Sequence, residues 1–290
     1  MNVKFLVIDS LQTLTSHEIS SAAGTVSQLK HSAFKLIDLA KRKNISILFI
    51  GHITKDGQIA GPKVLEHMVD AVFYFEPEKS SNIRLIRAHK NRFGATNEIG
   101  LFEMTQNGLM PLQNASRAFI DDTDEDLSGV SIFCGMEGTR PVLYEIQALV
   151  LPTFMASPRR AVVGWDMNRL AMLIALISSR LGIKLQDKEV YLSVAGGAKV
   201  DDPAVDLAVV ASLISAAIDK PIRRDIAFAG ELSLSGVIRE PKMQSTRIKE
   251  IEAMGFNSYA SRFSDKKDGS NLERHNLNHI FEVIKLLKKV

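Results

Sequence analysis

Val3-Lys4-Phe5-Leu6-Val7-Ile8-Asp9 is a short apolar run that ends on a carboxylate. A strand covered on both faces of a parallel sheet reads this way, so the stretch predicts a central parallel strand. Downstream, Ser27–Asn44 carries Leu29, Ala33, Leu36, Ile37 and Ala40 at helical spacing, then Lys41-Arg42-Lys43, whose charge suits a helix C-terminus. Ile45–Gly51 is a second apolar strand, and His52–Pro62 is polar with glycines. A short helix is expected over Val64–Val69, and strands over Val69–Phe75, Ile83–His89 and Ile99–Met104. Strand, helix and strand followed by more strands predict an α/β domain.

Between Gln113 and Gly129 the periodicity fails. Asp121-Asp122-Thr123-Asp124-Glu125-Asp126 is an acidic run, read as an exposed linker. Beyond it come strands at Val130–Met136 and Val142–Leu151, and an apolar helix at Asp166–Gly182 with Gly182 as its C-cap. A strand at Val190–Ala195, a helix at Pro203–Ile218 and a hairpin over Ile226–Arg239 follow, then helices at Ser245–Met254 and His279–Val290. The expected division is 1–114, a linker at 115–129, and 130–290. The 290 residues are 46% hydrophobic and 24% charged, which fits two globular domains. A net charge of +3 permits a nucleic-acid partner without requiring one. Cys134 is the only cysteine, which excludes an intrachain disulfide and a cysteine zinc cluster and fits a reducing cytoplasm. No signal peptide is read, and the apolar stretch near Leu170–Ile177 is too short to span a membrane.

Lys90-Asn91-Arg92-Phe93-Gly94 puts two cations and a glycine at the end of a strand, a position suited to meeting phosphates. Asp9 at the end of its apolar strand has the shape of a Walker B carboxylate, which holds the Mg²⁺ bridging nucleotide phosphates. The series of motifs is more specific than either alone. Phe5–Leu14, Ser21–Gln28, Gly51–Gly57, Gly61–Asp70 and Lys90–Glu98 resemble, in order, successive segments of the bacterial RadA (Sms) family of recombination ATPases. Lys90–Gly94 matches that family's five-residue signature, and the resemblance runs to the C-terminus.

The resemblance implies part of a RecA-like P-loop ATPase core followed by an α+β Lon-protease-like domain. It implies a hexameric, ATP- and Mg²⁺-dependent DNA motor that drives branch migration of recombination intermediates. Its partners would be single-stranded and branched DNA, other copies of itself and the recombinase RecA. Lys90 and Arg92 are the candidates for reaching a neighbour's nucleotide in the manner of an arginine finger, with DNA phosphate as the competing role. Lys55 and Lys63 fall on the segment that would face DNA. No Gly-Lys dipeptide occurs, so no Walker A motif is present, and the family's N-terminal zinc finger is missing. Met1 is therefore expected to begin in mid-domain, with the chain alone not hydrolysing ATP.

The C-terminal half resembles the proteolytic domain of Lon, which uses a Ser-Lys dyad. Ala204 holds the place of the nucleophile and Ser245 that of the lysine, so neither nucleophile nor base is expected. This disfavours a Lon-type serine protease and leaves a scaffold for assembly or DNA binding, with Arg159, Arg160, Arg169, Lys220, Arg223 and Arg224 as its charge. A non-catalytic DNA-binding or oligomerisation remnant is the other alternative. The seven histidines lack metal spacing; His52 and His89 read as structural, and Trp165 as core.

Overall fold

The computed structural model describes residues 3–52, 65–77, 82–96, 98–112, 116, 119–120, 126–155, 157–264 and 270–289. The chain forms two compact units, Met1–Tyr74 with Arg87–Asn97, and Phe75–Ile86 with Glu98–Val290.

In the first unit, β1 (Phe5–Asp9) pairs in parallel with β2 (Ser46–Ile50), in a register from Phe5↔Ser46 to Asp9↔Ile50. The helix α1 (Val26–Lys43) lies between them in sequence. Thr25 caps its N-terminus by accepting from the Gln28 amide, and Asn44 closes the other end in the left-handed region at φ 52°. Gln28 is buried and organises the loop before the helix. Its amide donates to the carbonyls of Ser16, Ile19 and Ser21 at 3.1, 3.0 and 2.8 Å, and its oxygen accepts from Ser16 N at 2.9 Å. Leu11, Leu29, Ala33 and Leu65 form a small core. Further along the chain come β3 (Ala71–Pro77) and β4 (Ile83–Asn91), then β5 (Ile99–Thr105) and β6 (Gly108–Pro111) of the second unit, which pair antiparallel from Phe102↔Pro111 to Thr105↔Gly108.

The second unit is built on a seven-stranded mixed sheet. Its order is β15 (Glu273–Asn276), β14 (Ser258–Ser261), β11 (Ile226–Ala229), β7 (Val130–Glu137), β8 (Arg140–Pro152), β10 (Lys188–Val194), β9 (Arg160–Val163). The helix α2 (Met167–Leu181) starts on the Asp166 cap and stops at Gly182, whose φ of 70° suits glycine. The helix α3 (Asp206–Ile218) is buried throughout Asp206–Ser215, which explains its nearly unbroken apolar sequence. Two further helices, α4 (Gln244–Ala253) and α5 (Ile280–Lys289), complete the unit. Gly129 leads into β7 with φ +81°, and a Cβ there would lie 2.2 Å from the Ala148 carbonyl oxygen, so this entry needs glycine.

Three expectations change. The strand read as central and covered on both faces, β1, pairs among the described residues with β2 alone and leaves Phe5 and Val7 exposed, so its apolar run marks no double burial. The hairpin read over Ile226–Arg239 covers only β12 (Glu231–Leu232) and β13 (Ile238–Arg239), while Ile226–Ala229 is a central strand parallel to β7 and β14. All four residues of that strand are buried, so it shows no alternation to betray its face. The segment read as an exposed linker puts Ser116 and Phe119 into the core. Ser116 Oγ donates to Glu250 Oε1 at 2.7 Å and accepts from Leu143 N at 3.0 Å. Residues 121–125 of the acidic run lie outside the described residues. Among the described residues, no helix is long and apolar enough to cross a membrane.

Candidate functional site

The end of β4 and the turn after it are fixed by their own side chains. Lys90 Nζ donates to the carbonyl oxygens of Glu66 at 2.6 Å and Val69 at 2.8 Å. Arg92 is tied twice to Asp70, through its backbone amide to the carbonyl at 2.9 Å and through Nη1 to Oδ1 at 3.0 Å. Asn91 Oδ1 accepts from the Phe93 amide at 3.0 Å, the local bond with which Asn commonly closes turns. Tyr74 donates to Glu66 Oε1 at 2.6 Å and packs edge-on against His89, consistent with the structural role expected for that histidine. Lys90 thus spends two of its N–H donors inside the unit, and Arg92 presents the more open cation, its side chain half-exposed.

Asp9 is exposed at the last paired position of β1. Close by in sequence, Thr13 Oγ1 donates to the Ser10 carbonyl at 2.8 Å, and Gln12 Nε2 reaches the His52 carbonyl at 3.4 Å. Lys55 and Lys63 lie outside the described residues.

In the second unit, Ala204 sits buried in a single turn, Pro203–Val205. Asp202 caps that turn through Oδ1, which accepts from Ala204 N at 3.0 Å. Gly230, between Ala229 and Glu231, bridges the turn and the start of α3: its N donates to the Ala204 carbonyl at 2.7 Å, and its carbonyl accepts from Leu207 N at 3.0 Å. Around it lie two internal ion pairs that the sequence did not reveal. Arg247, 1% exposed, donates from Nη2 to Asp202 Oδ2 at 2.6 Å, from Nε to the Lys242 carbonyl at 2.9 Å, and from Nη1 to the Cys134 carbonyl. Asp202 Oδ2 also accepts from Met136 N at 3.1 Å. Arg169 grips Asp206 through Nε at 3.0 Å and through Nη2, and also donates to the Leu232 carbonyl at 2.6 Å. Burial raises the Asp206 carboxyl above its ordinary range, against the pull of Arg169 and of the Leu232 amide. Burial also pushes the Cys134 thiol up to about 12. Ser245 is exposed on α4. A methyl group at 204 and an exposed hydroxyl at 245 offer no activated nucleophile.

The cations read as a DNA-facing set divide. Arg159 is exposed. Arg160 is part-buried and reaches the Gln186 carbonyl at 3.4 Å. Arg223 is held bidentately by Asp225 at 2.8 and 2.5 Å, which draws the Asp225 carboxyl below its ordinary value. Arg224 is 13% exposed and pairs with buried Glu145 at 2.9 Å. Arg169 and Arg224 are therefore structural, because a buried carboxylate left without its cation is costly. The partners of Arg224 and Arg247 lie 79 and 45 residues away, so local sequence carried no signal for either.

Among the described residues no group of three His, Cys, Asp or Glu side chains could hold a metal. Cys134, the one cysteine, is buried, and the chain's own residues do not fit a thiolate zinc site. An exposed strand-end carboxylate such as Asp9 does fit Mg²⁺ shared with a nucleotide, since Mg²⁺ uses one or two carboxylates and fills its remaining positions with phosphate oxygens and water.

Residues 174–241 match the family described as Lon protease (S16) C-terminal proteolytic domain. Over 256 residues the chain is 53% identical to "DNA repair protein RadA" of Rickettsia felis, covering 88% of this chain and 57% of that protein. The proteins of the same name are 49% identical over 251 residues in Brucella abortus, with 87% and 54% covered, and 47% identical over 256 residues in Bacillus subtilis, with 88% and 56% covered. The chain spans a little over half the length of these relatives.

Proposed function

We propose that this chain, a homologue of the RadA DNA repair proteins over 88% of its length, acts in DNA repair and recombination as part of a RadA-type DNA-dependent motor. The observation that carries the reading is identity of about one residue in two over 256 residues, 88% of the chain, a span longer than either unit. The first unit's parallel β1–α1–β2 arrangement is consistent with a RecA-like core, in which Asp9 would hold Mg²⁺. When bound, Mg-ATP supplies the phosphoryl group and offsets its charge. Arg92 presents a guanidinium to phosphate, either of DNA or of a neighbouring copy's nucleotide, and Lys90 positions it by fixing the end of β4. The second unit acts as a scaffold without peptidase activity, because Ala204 has no attacking atom. On this reading the working assembly is a ring of copies that meets single-stranded and branched DNA beside RecA in the cytoplasm.

A Lon-type protease is the rival suggested by the match at 174–241, and Ala204 and Ser245 speak against it. The test is binding of the 290-residue chain to labelled single-stranded and three-way-junction DNA across a salt series. Binding that weakens linearly with log salt supports the reading. Absence of binding to both at low salt would remove it.

A further inference from the structure

We propose that Phe93 is a stacking platform for a nucleobase, with the Arg92 guanidinium beside it to take the attached phosphate. The proposal rests on the reading that this chain acts on DNA, and it names the part of the ligand that the turn would grip.

Phe93 is 84% exposed, the second most exposed large apolar side chain described. A phenyl ring in water forgoes the gain of burial, and on a pliable loop it would fold back on the surface. Here it cannot readily do so. The three residues before it are each pinned: Lys90 by two carbonyls, Asn91 by its bond to the Phe93 amide, and Arg92 by its two bonds to Asp70. Gly94 completes the device, because a Cβ there would lie 2.9 Å from Asn91 Nδ2, inside contact distance of the amide that closes the turn. The ring is thus held outward before any ligand arrives, which lowers the ordering cost of binding.

The chemistry next to the ring selects the ligand class. Arg92 Nη1 is used by Asp70, and the rest of its planar fork remains open to solvent on a half-exposed side chain. An aromatic face beside a guanidinium is the combination that grips single-stranded nucleic acid, since every base has a π-face and every nucleotide a phosphate. A base in a DNA strand and the base of a free adenine nucleotide share this chemistry.

The experiment uses the full 290-residue chain with two probes, a fluorescein-labelled oligothymidylate and a fluorescent adenine nucleotide, each titrated by anisotropy. Phe93→Ala is expected to weaken binding of one probe by roughly 5- to 150-fold while leaving its salt dependence unchanged. The probe that loses affinity identifies the source of the base. Phe93→Trp is expected to keep the affinity and to show emission quenched on binding. If Phe93→Ala leaves both affinities unchanged while Arg92→Ala weakens the oligonucleotide, the stacking role is overturned and the DNA-contact reading stands. If the wild-type chain binds neither probe, both fall together.

Discussion

Arg247→Met tests whether the ion pair beside Ala204 is a structural lock. Arg247 is 1% exposed, and its guanidinium satisfies three acceptors, Asp202 Oδ2 and the carbonyls of Cys134 and Lys242. Removing one member of a buried ion pair costs about 3–5 kcal/mol, because the surviving charge stays buried without its partner. Asp202 is 14% exposed and keeps the amides of Met136 and Ala204, which pulls the cost toward the lower bound. The two orphaned carbonyls push it back up, since each unsatisfied buried group costs about 1–3 kcal/mol. A loss of about 4 kcal/mol is the expected outcome. For a unit of this size that lowers Tm by about 8–16 °C. The assay is urea and thermal unfolding of the 290-residue chain followed by circular dichroism, with the double variant Arg247→Met/Asp202→Leu alongside. Replacing both partners by apolar groups should recover much of the loss. A single-variant loss below about 1 kcal/mol would refute the lock, placing the pair with surface bridges of little worth.

Ala204→Ser should confer no cleavage of casein, because the introduced hydroxyl would find no amine base at Ser245; measurable peptidase activity would contradict this. Cys134, with its thiol pushed up to about 12 by burial, should react with Ellman's reagent at pH 8 only after unfolding. The Asp225 carboxyl is held below its ordinary value of 3.8, so its pairing with Arg223 adds stability above that pH and loses it as pH falls through the lowered value. Asp225→Asn should accordingly flatten the acid limb of a stability–pH curve while leaving it unaltered in shape near neutrality.

What could be read from the chain was local. The helix at 26–43 declared itself by apolar spacing and its basic last turn, and Gly182 by its position after an apolar helix. The strand ending at Asp9 and the turn at 90–94 were legible because their chemistry is contiguous. The pairings that give the second unit its interior were not. Arg224 read as part of a DNA-facing set and Arg247 was not singled out, since Glu145 and Asp202 are brought to them only by the sheet and by α4. Strand β11, buried at all four positions, gave no periodicity to separate it from the small hairpin that follows. Phe119 sat in an acidic, aperiodic segment and is nonetheless 5% exposed, because its backbone carbonyl accepts from Glu145 N at 3.0 Å and its ring packs on Tyr144.

Comparing the salt dependence of oligothymidylate binding by the 290-residue chain with that of Arg92→Ala tests the central claim most directly. If Arg92 meets a DNA phosphate, affinity falls and the slope of log K against log salt drops by about 0.7–1, the share of one phosphate contact. An unchanged affinity and slope would contradict a DNA-phosphate role for Arg92.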